Sequence, residues 1–232
     1  MNPRPGIVLV RSCISSPDLA PEAFHKWYEE AHIPYLLSTP GVKTATRYKS
    51  ASQEALPYLA VYHLHDLEWL RRDTCEFWKG PLHSDIFPND TQMVFTWAQF
   101  ETGFYEKIDT SDDGRLSGND DHGAEGNALF VVQWERLLGY SADHAEDIFS
   151  IARQKLSDLG VKGEPRLRLY KADGTGLSPP GVPRDQPLME GTKYLCLADF
   201  KHPEVKEEGK RDIDLMFKGG TTEYHLISSH QA

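Results

Sequence analysis

The tripeptides Gly41-Val42-Lys43 and Gly160-Val161-Lys162 each close a segment of helical pattern and open a strand that ends in Tyr-Lys, at Tyr48-Lys49 and Tyr170-Lys171. Around these anchors the chain reads as one element order written twice. In the first half GIVLVRSCI is a strand, and Pro21 to about Ser38 is a helix with Ser16 or Asp18 as N-cap. VKTATRYKS and YLAVYHLHD follow as strands, then a helical stretch from about Trp69 to Phe87, then the strand MVFTWAQFETGFY. In the second half ALFVVQW, RLRLYK, KYLCLADF and TEYHLIS read as strands, with helices at Ser141 to Leu159 and Glu204 to Phe217. Gly41 and Gly160 are each expected in the left-handed position that ends a helix.

A β-α-β-β-α-β plan repeated in this way predicts an α+β chain of tandem ferredoxin-like repeats. The first spans residues 1–107 and the second 128–232. They are joined by IDTSDDGRLSGNDDHGAEGN at 108–127, which is too polar and glycine-rich to build a core. Such a unit covers one sheet face with helices and leaves the other bare. Two bare faces can bury each other by closing into an α+β barrel, from one chain or from two chains in a dimer. The segment from Lys171 to Thr192 is longer than a hairpin turn requires and suits a lid or a dimer contact.

A formal charge of −10 argues against phosphate-backbone recognition, so nucleic acid is not expected as a partner. No run approaches the ~18 apolar residues of a membrane helix, and GIVLV near the N-terminus is too short for a signal-peptide core. The cysteines, Cys13, Cys75 and Cys196, are odd in number and widely spaced, which fits a reducing, cytoplasmic setting and buried thiols. The expected partners are a small-molecule substrate and a second copy of the chain.

His25, Glu29 and His32 fall at i, i+4 and i+7, one face of a helix. Three ligands on one ion would need that helix intact, yet Pro34 disfavours helical geometry at Ile33, and no further ligand source is evident. No metal is therefore predicted, and His25 and Glu29 are expected in solvent. His32, between Trp27-Tyr28 and Tyr35, is the stronger candidate, because a histidine near its ordinary pKa can exchange protons at pH 7.

Period-two alternation in YLAVYHLHD puts Ala60, Tyr62 and Leu64 on one face, expected beneath the helices. Leu59, Val61, His63 and His65 take the other, which changes from apolar to imidazole along the strand. Tyr48 could donate a hydrogen bond to an oxyanion. The candidate catalytic set is thus His32, His63, Tyr48 and His65. Trp27, Tyr28, Tyr35, Trp78, His83, Trp97 and Phe100 are the candidate substrate-binding set, suited to a flat ring. Registering Gly41 on Gly160 sets Ile151 opposite His32 and Glu146 opposite Trp27, so one site per chain, in the first half, is expected.

The run WYEEAHIPYLLSTPG, the following RYK and the strand YLAVYHLHDLE together resemble the EthD-like group of the dimeric α+β barrel superfamily, in particular its two-repeat fungal members. Ala31 between the acidic pair and His32, and Val42 where an aromatic residue is common, depart from that pattern. The resemblance implies the barrel fold and picks out His32. It also implies a range of activities: cofactor-free cyclases, decarboxylases, dehydratases and monooxygenases, haem-binding enzymes, and members without known activity.

The reading favoured by the residues is a cofactor-independent lyase or isomerase of decarboxylase, dehydratase or cyclase type. It would act on a small carbonyl or phenolic, polyketide-like metabolite of secondary metabolism. In it His32 and His63 exchange protons, Tyr48 steadies the oxyanion, and no cofactor is needed. The alternatives are a haem- or metal-dependent oxidoreductase of the same fold and a non-catalytic ligand-binding or assembly module.

Overall fold

A computed structural model describes residues 3–51, 54–108, 128–134, 166–173, 194–200 and 221–232, together with 150, 153–154 and 156–158. The predicted linker beyond residue 108, most of the helix at 141–159, the helix at 204–217 and the loop from 174 onward lie outside the described residues, as do Glu146, Ile151 and Gly160.

The described strands are β1 (Gly6–Ile14), β2 (Val42–Ser50), β3 (Tyr58–Leu64), β4 (Ala98–Lys107), β5 (Ala128–Trp134), β6 (Arg166–Ala172), β7 (Tyr194–Phe200) and β8 (Thr221–Gln231). They form a closed antiparallel barrel in the order β1-β3-β2-β8-β5-β7-β6-β4. The first half contributes β4-β1-β3-β2 as neighbours, and the second contributes β8-β5-β7-β6. Two seams join them. Along one, β2 pairs with β8 from Thr44↔Gln231 to Ser50↔Tyr224; along the other, β4 pairs with β6 from Tyr105↔Ala172 to Lys107↔Tyr170. Closure is therefore achieved within one chain, the alternative that sequence alone leaves open. Arg4 clamps the second seam, donating to Glu106 Oε2 at 2.7 Å and pairing with Asp173 Oδ1 at 3.4 Å across the halves.

Closure produces two separate cores. Inside the barrel Ile7, Leu9, Leu59, Val61, Leu129 and Leu197 pack together. Outside it, the helical segment lies on the outer face of the first-half strands and buries Phe24, Trp27, Tyr28, Ile33 and Leu36 against Val8, Ala45, Ala60, Tyr62 and Leu64. Each such large apolar side chain contributes about 1.5–3 kcal/mol on full burial. The alternation read in β3 holds: Ala60, Tyr62 and Leu64 face the helical layer, while Leu59 and Val61 face the lumen.

The first helix comes in three parts: α1 (Pro21–Trp27), a π turn at Tyr28–His32 and α2 (Ile33–Leu37). Pro34 cannot donate a backbone hydrogen bond. Instead of breaking, the helix widens, and Ile33 N–H reaches back to the Tyr28 carbonyl with Ile33 still in helical geometry. The expected N-cap is not made: Ala20 occupies that position without a side-chain bond, and Ser16 Oγ accepts from Asp18 N–H instead.

Two other expectations are corrected. The stretch 69–87 is not an α-helix but short 3-10 turns at Leu67–Arg71 and Phe77–Lys79 within an irregular connection. Gly80 and Pro81 interrupt it before an apolar period can establish. Gly41 is not left-handed. It is required by close approach, since a Cβ there would meet the Trp69 ring at 2.0 Å. No described helix is long and apolar enough to cross a membrane.

Candidate functional site

The π turn advances His32 by an extra residue and directs its ring into the helical layer. There it stacks on Trp27 with centroids 4.6 Å apart and meets the edges of Tyr28 at 5.4 Å and Tyr62 at 6.1 Å. Trp27 is itself fixed by Nε1 donating to the Pro81 carbonyl at 2.8 Å, which pins the 80–82 segment over the layer. The His32 residue is partly exposed, but its Nδ1 is sealed from solvent and has no hydrogen-bond partner among the described residues. The Tyr62 hydroxyl is in the same condition. Burial, aided by the charge of Arg47, pushes the His32 imidazole down to about 3, so the ring is neutral at pH 7. Burial also holds the Tyr62 hydroxyl protonated far into the alkaline range.

Behind Tyr28 lies a cation that residue patterns do not single out. The Arg47 guanidinium sits 3.9 Å over the Tyr28 ring, with a side chain only 2% exposed. Its Nη1 donates to Glu29 Oε1 at 3.2 Å and its Nη2 to His25 Nδ1 at 3.1 Å. Glu29 in turn accepts from Ser228 Oγ at 2.7 Å and lies 2.7 Å from His230 Nε2, which ties the helix to β8. Burial raises the Glu29 carboxyl, but the bonds from Ser228 and Arg47 outweigh it and the net direction is downward. His25 and Glu29 are therefore fastened to Arg47 rather than left in solvent. Among the described residues no group of three or more His, Cys, Asp or Glu side chains is arranged to hold a metal ion.

His63 and Tyr48 lie on the other side of the sheet. In the lumen Arg168 Nη1 donates to His63 Nε2 at 3.0 Å, and Arg168 Nη2 donates to Asp199 Oδ2 at 2.5 Å. A guanidinium only donates, so His63 Nε2 must be its unprotonated nitrogen. Tyr48 is buried in the same compartment, and its hydroxyl is pushed up by burial and by the nearby Asp199 charge. His32 and His63 consequently cannot act on one substrate, because the β3 backbone separates them. The sequence grouping of His32, His63 and Tyr48 is corrected for this reason: neighbouring strand residues point to opposite faces.

His65 follows the end of β3. It is exposed and borders an open cleft of about 450 Å³ with Asp66, Trp69, Arg72 and Glu76, apart from the His32 layer. Of the aromatic set, Trp27 and Tyr28 touch His32, while Tyr35, Trp78, Trp97 and Phe100 belong to the same outer core. Tyr35 donates to the Glu76 carbonyl at 3.2 Å, and Trp78 Nε1 to the Leu70 carbonyl at 3.1 Å. His83 is exposed on the connection after Pro81 and is not part of that core. Burial raises all three cysteine thiols and takes Cys196 to about 12, which disfavours the nucleophilic thiolate form.

Two residues of the layer are absent from the candidate set that the sequence supplies. Tyr62 reads there as part of an apolar face, which hides its hydroxyl. Arg47 stands beside Tyr48 in RYK, and alternation gives the helical side to Arg47.

No family model and no curated protein matches the chain. Solved structures do. TA0507, provisionally named a chlorite dismutase, aligns over 97% of this chain and 96% of its own with a TM-score of 0.54 at 8% identity. A variant of chlorite dismutase from Candidatus Nitrospira defluvii aligns over 97% and 91% with a TM-score of 0.53, also at 8% identity. A protein of Fusobacterium nucleatum provisionally named a monooxygenase aligns over 100% and 96% at 0.46 and 9% identity. At such identities the first two likenesses establish a shared fold: the chain has the α+β barrel architecture seen in structures named chlorite dismutase.

Proposed function

We propose that this protein is a small-molecule enzyme whose ligand lies between the helical segment and the outer face of β3, held by His32 and Tyr62. One observation carries the reading: two buried polar atoms of neighbouring rings, His32 Nδ1 and Tyr62 Oη, both lack a partner among the described residues. Leaving a buried polar group unsatisfied costs about 1–3 kcal/mol. A ligand hydroxyl or carbonyl recovers that cost, and the surrounding Trp27, Tyr28 and Phe77 suit a flat ring. Descent from a tandem ferredoxin-like duplication of the EthD-like kind belongs to the same reading. It is supported by the matching strand order of the two halves and by the WYEEAHIPYLLSTPG helix.

On reaction class, the names of the structural neighbours favour an oxidoreductase over a cofactor-free lyase or isomerase. The site separately disfavours His32 as a general base. A general base works best with a pKa near the working pH, and an imidazole lowered to about 3 is a poor one. A haem does not fit the described residues. His32 Nδ1 is sealed from solvent, Gly80 beside it leaves room only for a methyl group in ordinary contact at 3.5 Å, and Trp27 covers a ring face. The cleft at His65 is bordered by carboxylates and an arginine rather than by an apolar slab. The oxidoreductase reading is therefore carried without any haem step.

Titration with 2-naphthol, followed by quenching of tryptophan fluorescence, tests the reading. Saturable quenching is expected, weakened about 5- to 30-fold by Tyr62→Phe, in keeping with the loss of one hydrogen bond of about 1–2 kcal/mol. Equal affinity in the wild type and in both Tyr62→Phe and His32→Ala would remove the site. A native mass spectrum of the purified protein addresses the cofactor separately: a haem adduct that is lost on His32→Ala would reverse the fit argument.

A further inference from the structure

Apart from the unpartnered His32 Nδ1 and Tyr62 hydroxyl, the layer has an electrostatic sign. We propose that Arg47 makes it selective for ligands bearing a negatively charged oxygen, a phenolate or an enolate, so that Arg47 takes the oxyanion-stabilising part that residue chemistry alone gives to Tyr48. This inference rests on the reading that the ligand lies at His32 and Tyr62.

Strand register sets the position of Arg47. Ala45 pairs with Tyr62 and Arg47 with Ala60, so Arg47 is the diagonal neighbour of Tyr62 on the helix-facing side. The π turn then lays Tyr28 over the guanidinium, and Tyr28 also contacts His32. Arg47 is thus the strand diagonal of Tyr62 and is linked to His32 through the Tyr28 ring.

Its charge is only partly cancelled. The groups facing it are Tyr28, Glu29 and His25 from the helical segment, with Lys49 nearby on β2, and with His230 of β8 reaching Glu29. His25 is biased towards its neutral form by burial and by Arg47 itself. Among the described residues Glu29 is the anion in contact, and it is 32% exposed, shared with Ser228 and His230. Solvent screens Glu29 on its open side, whereas the Arg47 side chain, 2% exposed, projects its field into the low-dielectric layer. Its influence is consistent across the site: it disfavours protonation of His32 and favours ionisation of Tyr28 and Tyr62. An anionic ligand oxygen would feel the same field and could accept a hydrogen bond from Tyr62. Its proton would be left in bulk water, so a strongly basic His32 is not required.

The test is the ionisation of 4-nitrophenol bound to the full chain, read from the phenolate absorbance across a pH series. The expected result is a bound pKa lowered by about one unit or more, a tenfold change in the ionisation constant. Arg47→Met should return it to the free value or above. Glu29→Gln, which removes the compensating anion, should lower it further, and this variant decides the matter should Arg47→Met fail to fold. A bound pKa equal to the free value in the wild type, or one that does not fall in Glu29→Gln, overturns the role of Arg47 and leaves the site standing. Absence of saturable binding in the wild type overturns the site itself.

Discussion

Tyr62 and His63 are consecutive residues of β3, yet they belong to different compartments with different logic. The outer layer around Tyr62 is aromatic, and His32 Nδ1, the Tyr62 hydroxyl and Trp97 Nε1 in it have no partner among the described residues. The lumen around His63 also holds polar groups, and there Arg168 binds both Asp199 and His63, although Arg168 Nε and Asp199 Oδ1 remain unpaired among the described residues. The Arg168 cluster ties β3 to β6 and β7, while the sealed, partnerless His32 Nδ1 and Tyr62 hydroxyl are the groups that the proposed ligand would satisfy. The difference teaches that a histidine's role is read from the bonds its nitrogens already make more than from its burial.

The sharpest way to break this contrast is to strip the lumen of its anion. Asp199→Ala leaves the Arg168 cation buried without its carboxylate, which should destabilise the fold by about 3–5 kcal/mol in urea unfolding. The molecules that remain folded should bind 2-naphthol with wild-type affinity. Weakened binding in the folded fraction would join the two compartments functionally and end the distinction.

Next in size is the pH dependence that His32 imposes. Its folded pKa, about 3, lies below the ordinary 6.5, so the unfolded chain binds the extra proton between those values. Stability from this group is complete above about pH 6.5 and is lost as pH falls towards 3, with a slope approaching 1.4 kcal/mol per unit. Replacing His32 by Gln should remove that slope, measured as urea midpoints between pH 4 and 7. An unchanged slope would mean that the ring is not shielded as described.

A smaller effect on folding separates ligand atoms from structural ones. Tyr62→Phe removes a buried hydroxyl that no described group satisfies, so stability should rise by about 1–3 kcal/mol while probe affinity falls. A loss of 1.5 kcal/mol or more would show that the hydroxyl is already bonded in the folded protein. Least affected should be His83→Ala. The side chain is exposed, and both stability and binding should stay within about 0.5 kcal/mol of the wild type; a clear loss of binding would extend the site to the connection after Pro81.

Much of this layout is legible in the residue pattern alone. Strand periodicity assigns Ala60, Tyr62 and Leu64 to the helical side and Leu59 and Val61 to the other, because a strand allows only two directions. The same rule, applied to Arg47 and Tyr48, puts Arg47 on the helical side and Tyr48 in the lumen; the chemical familiarity of tyrosine obscures a signal that is present. The helix at 21–38 is also evident, but its π turn is not. That widening depends on where the missing Pro34 N–H leaves room within a packed layer, which no local pattern specifies.

The strands, the first helix and the aromatic wealth of the first half follow from the residue pattern, since local periodicity and residue type suffice for them. Tertiary structure alone decided that the barrel closes within one chain, that β3 divides His32 from His63, and that Glu29, Ser228 and His230 gather on a buried Arg47. Those outcomes rest on contacts between residues as much as 199 positions apart. The energy of such contacts depends on register, burial and neighbouring charge, and none of the three exists until the chain has folded.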